Sequence, residues 1–320
     1  MFDPILVPLD GSSLAEGVLP HVVSIAQPFE AKVILLRVLG QNQAIESGSS
    51  FDPLNWQIKK AEAKFDLDRV AAQLQALKIT TQSDVSEGSP ADSINEFAQA
   101  HGVNLIILSS QGNSGLSEWG ISSTVQKIML SAPTSILIVR AQQQTISELK
   151  EYRYQRILVP LDGSWRAEYV LPMVATLARY HKSQVHIVHV VTRPEMARHM
   201  PPSPEDIELS NRLVERNQEE GMRYLEQLKA RAPLEDIEVQ THLLVGDNAI
   251  VTLHQFVERE SIDIVVFNAH GYSGVEQWPY GSMVNNFVLY SKVPLLVVQD
   301  VSTRQEPAAA DVAVRGRISH

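Results

Sequence analysis

A chain of 320 residues, 44% hydrophobic and 20% charged, is long enough for two ordinary globular domains. Its formal net charge of −10 argues against nucleic acid as the main partner, because phosphate backbones are bound by clustered lysine and arginine. The chain has no cysteine, which excludes disulfides, thiolate zinc sites, iron–sulfur clusters and cysteine nucleophiles.

Short apolar, β-branched runs alternate with helical patterns along the whole chain, which is typical of a parallel sheet covered by helices on both faces. The predicted strands are Ile5–Leu9, Val33–Leu39, Ile79–Val85, Leu105–Leu108 and Ile136–Val139, then Ile157–Leu161, Val185–Val191, Ile237–Val245, Ile262–Phe267 and Leu295–Val298. The predicted helices are 14–26, 56–77, 90–99 and 123–130, then 166–180, 205–231, 249–260 and 282–291. Ser13 and Glu16 have the form of a capping box for the first helix, and Ile79–Val85 alternates as an edge strand does.

The chain contains an internal repeat. Ile-Leu-Val-Pro-Leu-Asp-Gly-Ser occurs at 5–12 and again at 157–164, and the similarity continues beyond it in the same register. A duplicated domain is the simplest explanation. The pattern predicts two tandem α/β domains, each a doubly wound, Rossmann-like, five-stranded and mostly parallel sheet.

The domain limits follow from the repeat and from composition. We expect the domains at 1–140 and 157–300, with a polar linker at 141–156 between them. Residues 301–320 lack an apolar pattern and are predicted to be a disordered tail. No apolar run approaches the length of a membrane span, and no basic segment precedes the first strand. We therefore expect a cytoplasmic protein without a membrane contact.

Aspartate and glycine follow the predicted strands where ligands bind in such sheets. Asp10 and Asp162 end the first strand of each half, while Gly112 and Gly271 follow the fourth. A glycine turn leaves backbone N–H groups available, and a nearby helix N-terminus adds donors and a positive dipole end, so the two together could hold a polyphosphate without lysine. The alternative is that the glycines only make turns, that the serines before the helix only cap it, and that the aspartates only stabilise turns.

Val-Pro-Leu-Asp-Gly-Ser after the first strand, with a Gly-x2-Gly-x9-Gly-[Ser/Thr] type of segment after the fourth, resembles the universal stress protein family. The resemblance covers about 1–140 and 153–300, so the chain is similar to tandem-type members. It implies an adenine nucleotide alpha hydrolase-like fold and a site for ATP, or for ADP or AMP, with or without Mg²⁺. Metal ligation by protein side chains alone is not expected, since His186 and His189 lie three apart on a strand and face opposite sides.

The resemblance also implies residue roles. In the second domain, Asp162 would contact the adenosine, Pro160 and Val190 would line the base pocket, and Gly271, Gly281, Ser282 and the Met283 backbone would hold the phosphates. The matching positions of the first domain are Pro8, Asp10, Val38, Gly112, Ser122, Ser123 and Thr124.

Both copies depart from the family motif. Its first glycine is Ser109 in one copy and Asn268 in the other, and its third is Ser122 in the first domain but Gly281 in the second. Serine is a poor substitute where the backbone needs a positive φ or a close approach to phosphate. We therefore expect the second domain to be the stronger nucleotide site.

The leading hypothesis is a stress-response protein that binds adenine nucleotide and acts as a nucleotide-dependent regulator. No catalytic base beside a poised water is evident, so at most a slow Mg²⁺-dependent ATPase is expected. The alternative is a scaffold of the same fold in which neither site binds nucleotide. A phosphoacceptor aspartate lacks the further acidic pair that such chemistry uses, and an adenylate-forming enzyme lacks its loop after the first strand.

The resemblance implies that the two domains pair through their last strands, 134–140 against 293–299, as separate subunits would. It also implies a homodimer, through the final strands or through domain faces. An apolar edge strand without a partner is an aggregation hazard, which favours the pairing on physical grounds.

Overall fold

The computed structural model describes the two halves of the chain with gaps between elements. The described residues are 2–40, 53–112, 121–132, 134–140, 149, 152–194, 203–230, 234–271 and 280–299. The predicted tail 301–320 and most of the predicted linker 141–156 lie outside them. Among the helices of these ranges, none is long and apolar enough to cross a bilayer.

Ten strands and ten helices lie in the described ranges, in the predicted order. The strands are β1 Ile5–Pro8, β2 Val33–Leu39, β3 Thr81–Glu87, β4 Leu105–Ser109, β5 Ser135–Val139, β6 Arg156–Pro160, β7 Gln184–Thr192, β8 Glu238–Gly246, β9 Ile264–Asn268 and β10 Leu295–Val298. The helices are α1 Ser13–Glu16, α2 Leu19–Ala26, α3 Pro53–Ala76, α4 Pro90–Ala100, α5 Ser123–Ser131, α6 Trp165–Glu168, α7 Leu171–His181, α8 Pro204–Lys229, α9 Ala249–Arg259 and α10 Ser282–Tyr290.

The strands form one continuous sheet in the order β3-β2-β1-β4-β5-β10-β9-β6-β7-β8. Every pairing within a half is parallel. The prediction of two tandem, doubly wound, five-stranded domains is therefore confirmed. The strand predicted to lie at an edge also does so, as β3.

The two domains meet at their last strands. β5 and β10 pair antiparallel, with Leu295 opposite Ile138 and Val297 opposite Ile136. The predicted pairing of the last strands is confirmed, and it takes place inside one chain. The proposal of a homodimer through the final strands is therefore wrong, since each of these strands already has a neighbour on both sides. A homodimer through domain faces stays a prediction.

Helices cover the sheet on two faces, and each face has one core that runs through both domains. On the first face, α2, α3, α7 and α8 pack on strand residues such as Ile5, Leu35 and Ile157. On the second face, α4, α5, α9 and α10 pack on Leu6 and Leu158, among others. Burying an aliphatic side chain of this size contributes about 1.5–3 kcal/mol, so the shared cores bind the two domains firmly together.

The first predicted helix, 14–26, is interrupted and forms α1 and α2. Pro20 lies in the first turn of α2, and Pro172 does the same in α7 of the second domain. Proline has no N–H to donate and its ring clashes with the carbonyl group four residues earlier, so a continuous helix is excluded at both places.

The start of α1 also differs from its prediction. Its N-cap is Ser12, whose Oγ accepts a hydrogen bond from the Ala15 N–H at 3.1 Å. Glu16 instead pairs with Arg69 of α3 at 2.5 Å. The predicted capping box of Ser13 and Glu16 is therefore wrong, because the helix begins one residue earlier than that motif requires.

A buried polar network joins the domains on the first face. Tyr154, in the predicted linker, is fully buried and its hydroxyl lies 2.9 Å from Nδ1 of His21. His181 Nε2 lies 2.8 Å from the carbonyl oxygen of Ser24, whose own hydroxyl donates to the Tyr152 carbonyl at 3.0 Å. Burial lowers the pKa of His21 to about 3 and raises the pKa of Tyr154. The network is thus built from neutral groups.

Candidate functional site

The strand order places a switch point in each domain. β1 lies between β2 and β4, and β6 lies between β7 and β9, so the crossovers on its two sides run in opposite directions. A crevice opens at the carboxyl ends of the strands where the order reverses, and ligands of open α/β sheets bind there. Asp10 and Gly112 follow β1 and β4, while Asp162 and Gly271 follow β6 and β9. The predicted residues therefore meet at the expected places.

Each aspartate uses one carboxylate oxygen to hold the turn after its strand. Asp10 Oδ1 accepts hydrogen bonds from the N–H of Ser12 at 2.9 Å and from its hydroxyl at 2.5 Å. Asp162 Oδ1 accepts from the N–H of Ser164 at 3.0 Å. The turn-stabilising role that the sequence left open is thus real in both domains.

The second oxygen of each aspartate faces the glycine after the fourth strand. A Cβ atom on Gly112 would lie 2.5 Å from Asp10 Oδ2, and one on Gly271 would lie closer still to Asp162 Oδ2. Neither glycine has a positive φ. Glycine is needed at both positions because a carboxylate approaches its Cα, and the conformation of the turn does not demand it.

The helix that follows the glycine segment is anchored in the same way in both domains. The N–H of Ser122 donates to the Ser110 carbonyl at 3.0 Å, and the N–H of Gly281 donates to the Ala269 carbonyl at 3.0 Å. These bonds fix the N-termini of α5 and α10 beside the ends of β4 and β9. The positive ends of both helix dipoles therefore face the crevice region.

The backbone does not distinguish Ser122 from Gly281. Their φ angles are −64° and −67°, and a Cβ atom on Gly281 would lie 3.8 Å from the Ala269 carbonyl oxygen, its nearest neighbour among the described residues. A positive φ is therefore not what distinguishes glycine from serine at this position. The side chains do differ, since Ser122 Oγ accepts from the Val125 N–H at 3.2 Å, while no side chain caps α10 at Gly281.

The remaining predicted residues lie around this region. Pro8 and Pro160 are the last residues of β1 and β6 and are half-buried. Val38 and Val190 lie near the ends of β2 and β7, where they pack on the second-face core. The first two residues of α5 and α10 complete the set. They are Ser123 and Thr124 in the first domain, and Ser282 and Met283 in the second.

Sequence reasoning missed Arg37, which reaches the site of the first domain from β2. A Cβ atom on Gly11 would overlap its guanidinium, with Nη2 at 2.7 Å and Cζ at 2.8 Å. Burial lowers the pKa of Arg37, and the carboxylates of Asp10 and Asp66 oppose that shift. The sequence contained one signal, which is that Arg37 is next to Val38 near the end of a predicted strand. Because neighbouring residues of a strand point to opposite faces, Arg37 faces the other side of the sheet from Val38 at the same strand end.

In the second domain, His189 occupies the position of Arg37 and leaves a cleft. Its Nδ1 lies 2.8 Å from the Leu161 carbonyl oxygen. An open cleft of about 360 Å³ lies beside it, within the size range of small-molecule sites. Its walls include Gly163, His189, Val190, Asn217, Gly221 and Tyr224. A larger cleft of about 480 Å³, between β8 and α9, contains none of the predicted site residues.

The histidines of β7 separate as predicted. His186 lies on the second face, where its Nδ1 is 3.1 Å from His242 Nε2, and His189 lies on the first face beside Tyr224. Within the described ranges, no three His, Asp or Glu side chains come together in a way that could hold a metal ion.

Comparison with known proteins gives one consistent result. The sequence pattern of the universal stress protein family matches residues 1–140 and 153–299. Universal stress protein MJ0531 of Methanocaldococcus jannaschii is 24% identical over 142 residues, which cover 44% of this chain and 83% of that protein. YxiE of Bacillus subtilis, also a universal stress protein, is 27% identical over 150 residues, covering 44% and 100%.

A solved structure spans both domains. The crystal structure of a universal stress protein from Archaeoglobus fulgidus superposes with a TM-score of 0.64 at 18% identity, covering 93% of this chain and 99% of that one. This likeness shows a shared fold, and the pattern match shows descent in each half. The chain belongs to the universal stress protein family, with two of the family's domains in tandem.

Proposed function

We propose that the protein binds an adenine nucleotide at the carboxyl ends of the strands of its second domain and acts as a nucleotide-dependent regulator in a stress response. The observation that carries the proposal is the approach of Asp162 Oδ2 to Gly271. It brings an acid from one loop and a side-chain-free backbone from another to the same crevice. A nucleotide needs both, since the acid can accept from a hydroxyl or amino group and the bare backbone admits phosphate.

The N-terminus of α10 supports a phosphate position. Among the residues that the structure describes, no side chain caps this N-terminus, and a Cβ atom on Gly281 would come no nearer than 3.8 Å to any of them. Phosphate oxygens could accept from these N–H groups and gain from the helix dipole, so no lysine is required. The residues that would line the site are Pro160, Asp162, Val190, Gly271, Gly281, Ser282 and Met283.

ATP is the nucleotide that we favour, with ADP and AMP as its alternatives. A triphosphate would place the most charge against the donors of α10, and Mg²⁺ would accompany it. The nucleotide would then hold the Mg²⁺, and protein side chains would not coordinate it directly.

The site of the first domain is proposed as the weaker one, with the same architecture. Its residues would be Pro8, Asp10, Val38, Gly112, Ser122, Ser123 and Thr124. A positive φ is not the reason, because the backbone at Ser122 and Gly281 is alike. Instead, the Ser122 hydroxyl already accepts a hydrogen bond from the Val125 N–H of α5, and the guanidinium of Arg37 covers Gly11.

The proposal contains no chemical step that the protein must perform. Slow ATP hydrolysis would need Mg²⁺ to offset phosphate charge, so turnover should stop when EDTA is added. A rate that survives EDTA would contradict this view. A homodimer through domain faces, unidentified protein partners and a cytoplasmic location remain predictions that accompany the proposal.

A scaffold without nucleotide is the second candidate. It is favoured by Asn268, which replaces the first glycine of the motif, is buried, and donates from Nδ2 to the His270 carbonyl at 2.9 Å. That bond gives the loop a structural role of its own. If the site were only structural, the Asp162 side chain would serve the turn and nothing else.

A matched pair of variants separates the two candidates. We expect Asp162→Ala to weaken the binding of labelled ATP with Mg²⁺ at least about tenfold, a change of about 1.4 kcal/mol. Asp10→Ala removes the same group from the first domain, so the site of the second domain should keep its wild-type affinity. Equilibrium dialysis of nucleotide-stripped protein measures both. Failure of the wild-type protein to bind would favour the scaffold, and equal loss in both variants would contradict the assignment to the second domain.

A further inference from the structure

The two domains carry the same turn after their first strands, yet different side chains lie against it. We propose that Arg37 fills the site of the first domain and keeps nucleotide out, and that His189 at the same position leaves the second site open. The inference rests on the proposed function, which it extends by naming the residue that decides which domain binds.

The turn glycine shows the difference most clearly. Gly11 and Gly163 have nearly the same backbone, with φ of +79° and +86°. The space that a Cβ atom would take on Gly11 is filled by the guanidinium of Arg37. Among the described residues, no atom lies within 4 Å of the same space on Gly163, and Gly163 lines the cleft of about 360 Å³.

Charges hold the guanidinium in place. Arg37 is half-buried, and the carboxylates of Asp10 and Asp66 both favour its charged form. Asp66 lies on α3, so the electrostatic attraction reaches from the turn after β1 to the helix that covers it. A ligand in that space would have to move a half-buried cation away from two anions, which costs more than filling an open cleft.

The neighbouring helix repeats the contrast. The buried residues Ala63, Leu67 and Val70 of α3 correspond by spacing to Gly221, Leu225 and Leu228 of α8. Asp66 then corresponds to Tyr224, and Ala63 to Gly221. A Cβ atom on Gly221 would lie 2.7 Å from Cδ1 of Leu243 and 3.1 Å from Cδ2 of His189, so the glycine makes room for both side chains. Three differences together open the cleft. The His189 side chain is smaller than that of Arg37, Gly221 lacks the methyl group of Ala63, and Tyr224 stands where the first domain has the carboxylate of Asp66.

Exchange of the two residues tests the inference in the full chain. We would measure the stoichiometry of Mg²⁺–ATP binding by calorimetry for the stripped wild-type protein, Arg37→His, Arg37→Gln and His189→Arg. We expect one site in the wild type and two in each Arg37 variant. In His189→Arg, the Kd of the second domain should rise at least about tenfold. An arginine that fills the cleft nine-tenths of the time leaves about one-tenth of the molecules able to bind, which raises the apparent Kd about tenfold.

Arg69→His is the matched control, because Arg69 belongs to the same domain and pairs with Glu16. It should keep one site. Circular dichroism shows whether each variant is folded, and the glutamine variant tests the first domain again if histidine disturbs it. One site in both folded Arg37 variants overturns the inference while the proposed function stands.

Two sites in the wild type would also overturn the inference, and a loss of one of them in the Arg37 variants would make Arg37 a ligand contact instead. No binding in any protein would refute the proposed function and the inference together. A site that is present only in the Arg37 variants would support occlusion by Arg37 and refute the assignment to the second domain.

Discussion

The buried network between the domains makes stability depend on pH through His21. The folded protein holds this side chain neutral, because burial lowers its pKa from 6.5 to about 3. The unfolded chain takes up a proton near pH 6.5, so stability is complete above that pH and falls as the pH decreases towards 3. Protonation of His21 therefore loosens the network on the acid side.

The magnitude is set by the two pKa values. One pKa unit corresponds to about 1.4 kcal/mol, so at pH 5, where the unfolded imidazole is protonated and the folded one is neutral, His21 lowers the free energy of unfolding by about 2 kcal/mol relative to pH 8. Near pH 3 the loss approaches about 5 kcal/mol. His181, His186 and His242 also have lowered pKa values, so the whole protein should lose more than this.

Two variants isolate the contribution of His21. Urea unfolding at pH 8 and pH 5 should show a difference about 2 kcal/mol smaller for His21→Asn than for the wild type. Tyr154→Phe removes the hydrogen bond at 2.9 Å and keeps the imidazole buried, so it should lower stability at both pH values and preserve the pH dependence. If His21→Asn keeps the full pH dependence of the wild type, the effect of burial on His21 is refuted.

Two further predictions concern the glycines of the second domain. Gly281→Asp should leave thermal stability unchanged or slightly raised, because aspartate is a good N-cap and a Cβ atom has room there, while ATP binding should fall at least about tenfold by charge repulsion. The neutral Gly281→Asn should cap equally well and, because its side chain occupies an N–H donor as Ser122 does, should also weaken binding, but by less than Gly281→Asp; equal loss in both would contradict a charge effect. Gly271→Ala should destabilise the fold by about 1–3 kcal/mol through its overlap with Asp162, and should weaken ATP binding. Gly102→Ala is the matched control, because a positive φ there costs about 1–2 kcal/mol while Gly102 lies outside both proposed sites. Chemical denaturation should show its loss of stability, and dialysis should show unchanged ATP binding. Undiminished ATP binding by Gly271→Ala would refute the role of that glycine.

Much of the fold could be predicted because local patterns determine it. The β-branched runs marked all ten strands, and polar alternation correctly placed β3 at an edge. The break between α1 and α2 was also present in the sequence, since Pro20 cannot continue a helix, but the apolar spacing across 14–26 concealed it. The position of a turn or of a helix cap is set by a single residue, and the spacing of apolar residues does not locate it that closely.

The site was only half predictable for a different reason. Asp162 and Gly271 stood out because each lies just beyond the end of a predicted strand, yet their close approach depends on the packing of two distant loops. Arg37 and Asp66 lie on separate elements, and nothing in either local pattern indicates that a guanidinium fills the space above Gly11. Contacts of this kind need the tertiary structure.

A crystal structure of the full chain grown with ATP and Mg²⁺ would decide whether the second domain is the nucleotide site. We predict nucleotide in the second domain, with the adenosine beside Asp162 and the phosphates at the N-terminus of α10, while Arg37 stays on Gly11 in the first. Nucleotide found only between β8 and α9, or only in the first domain, would contradict this assignment. So would a structure in which saturating ATP leaves both crevices without nucleotide.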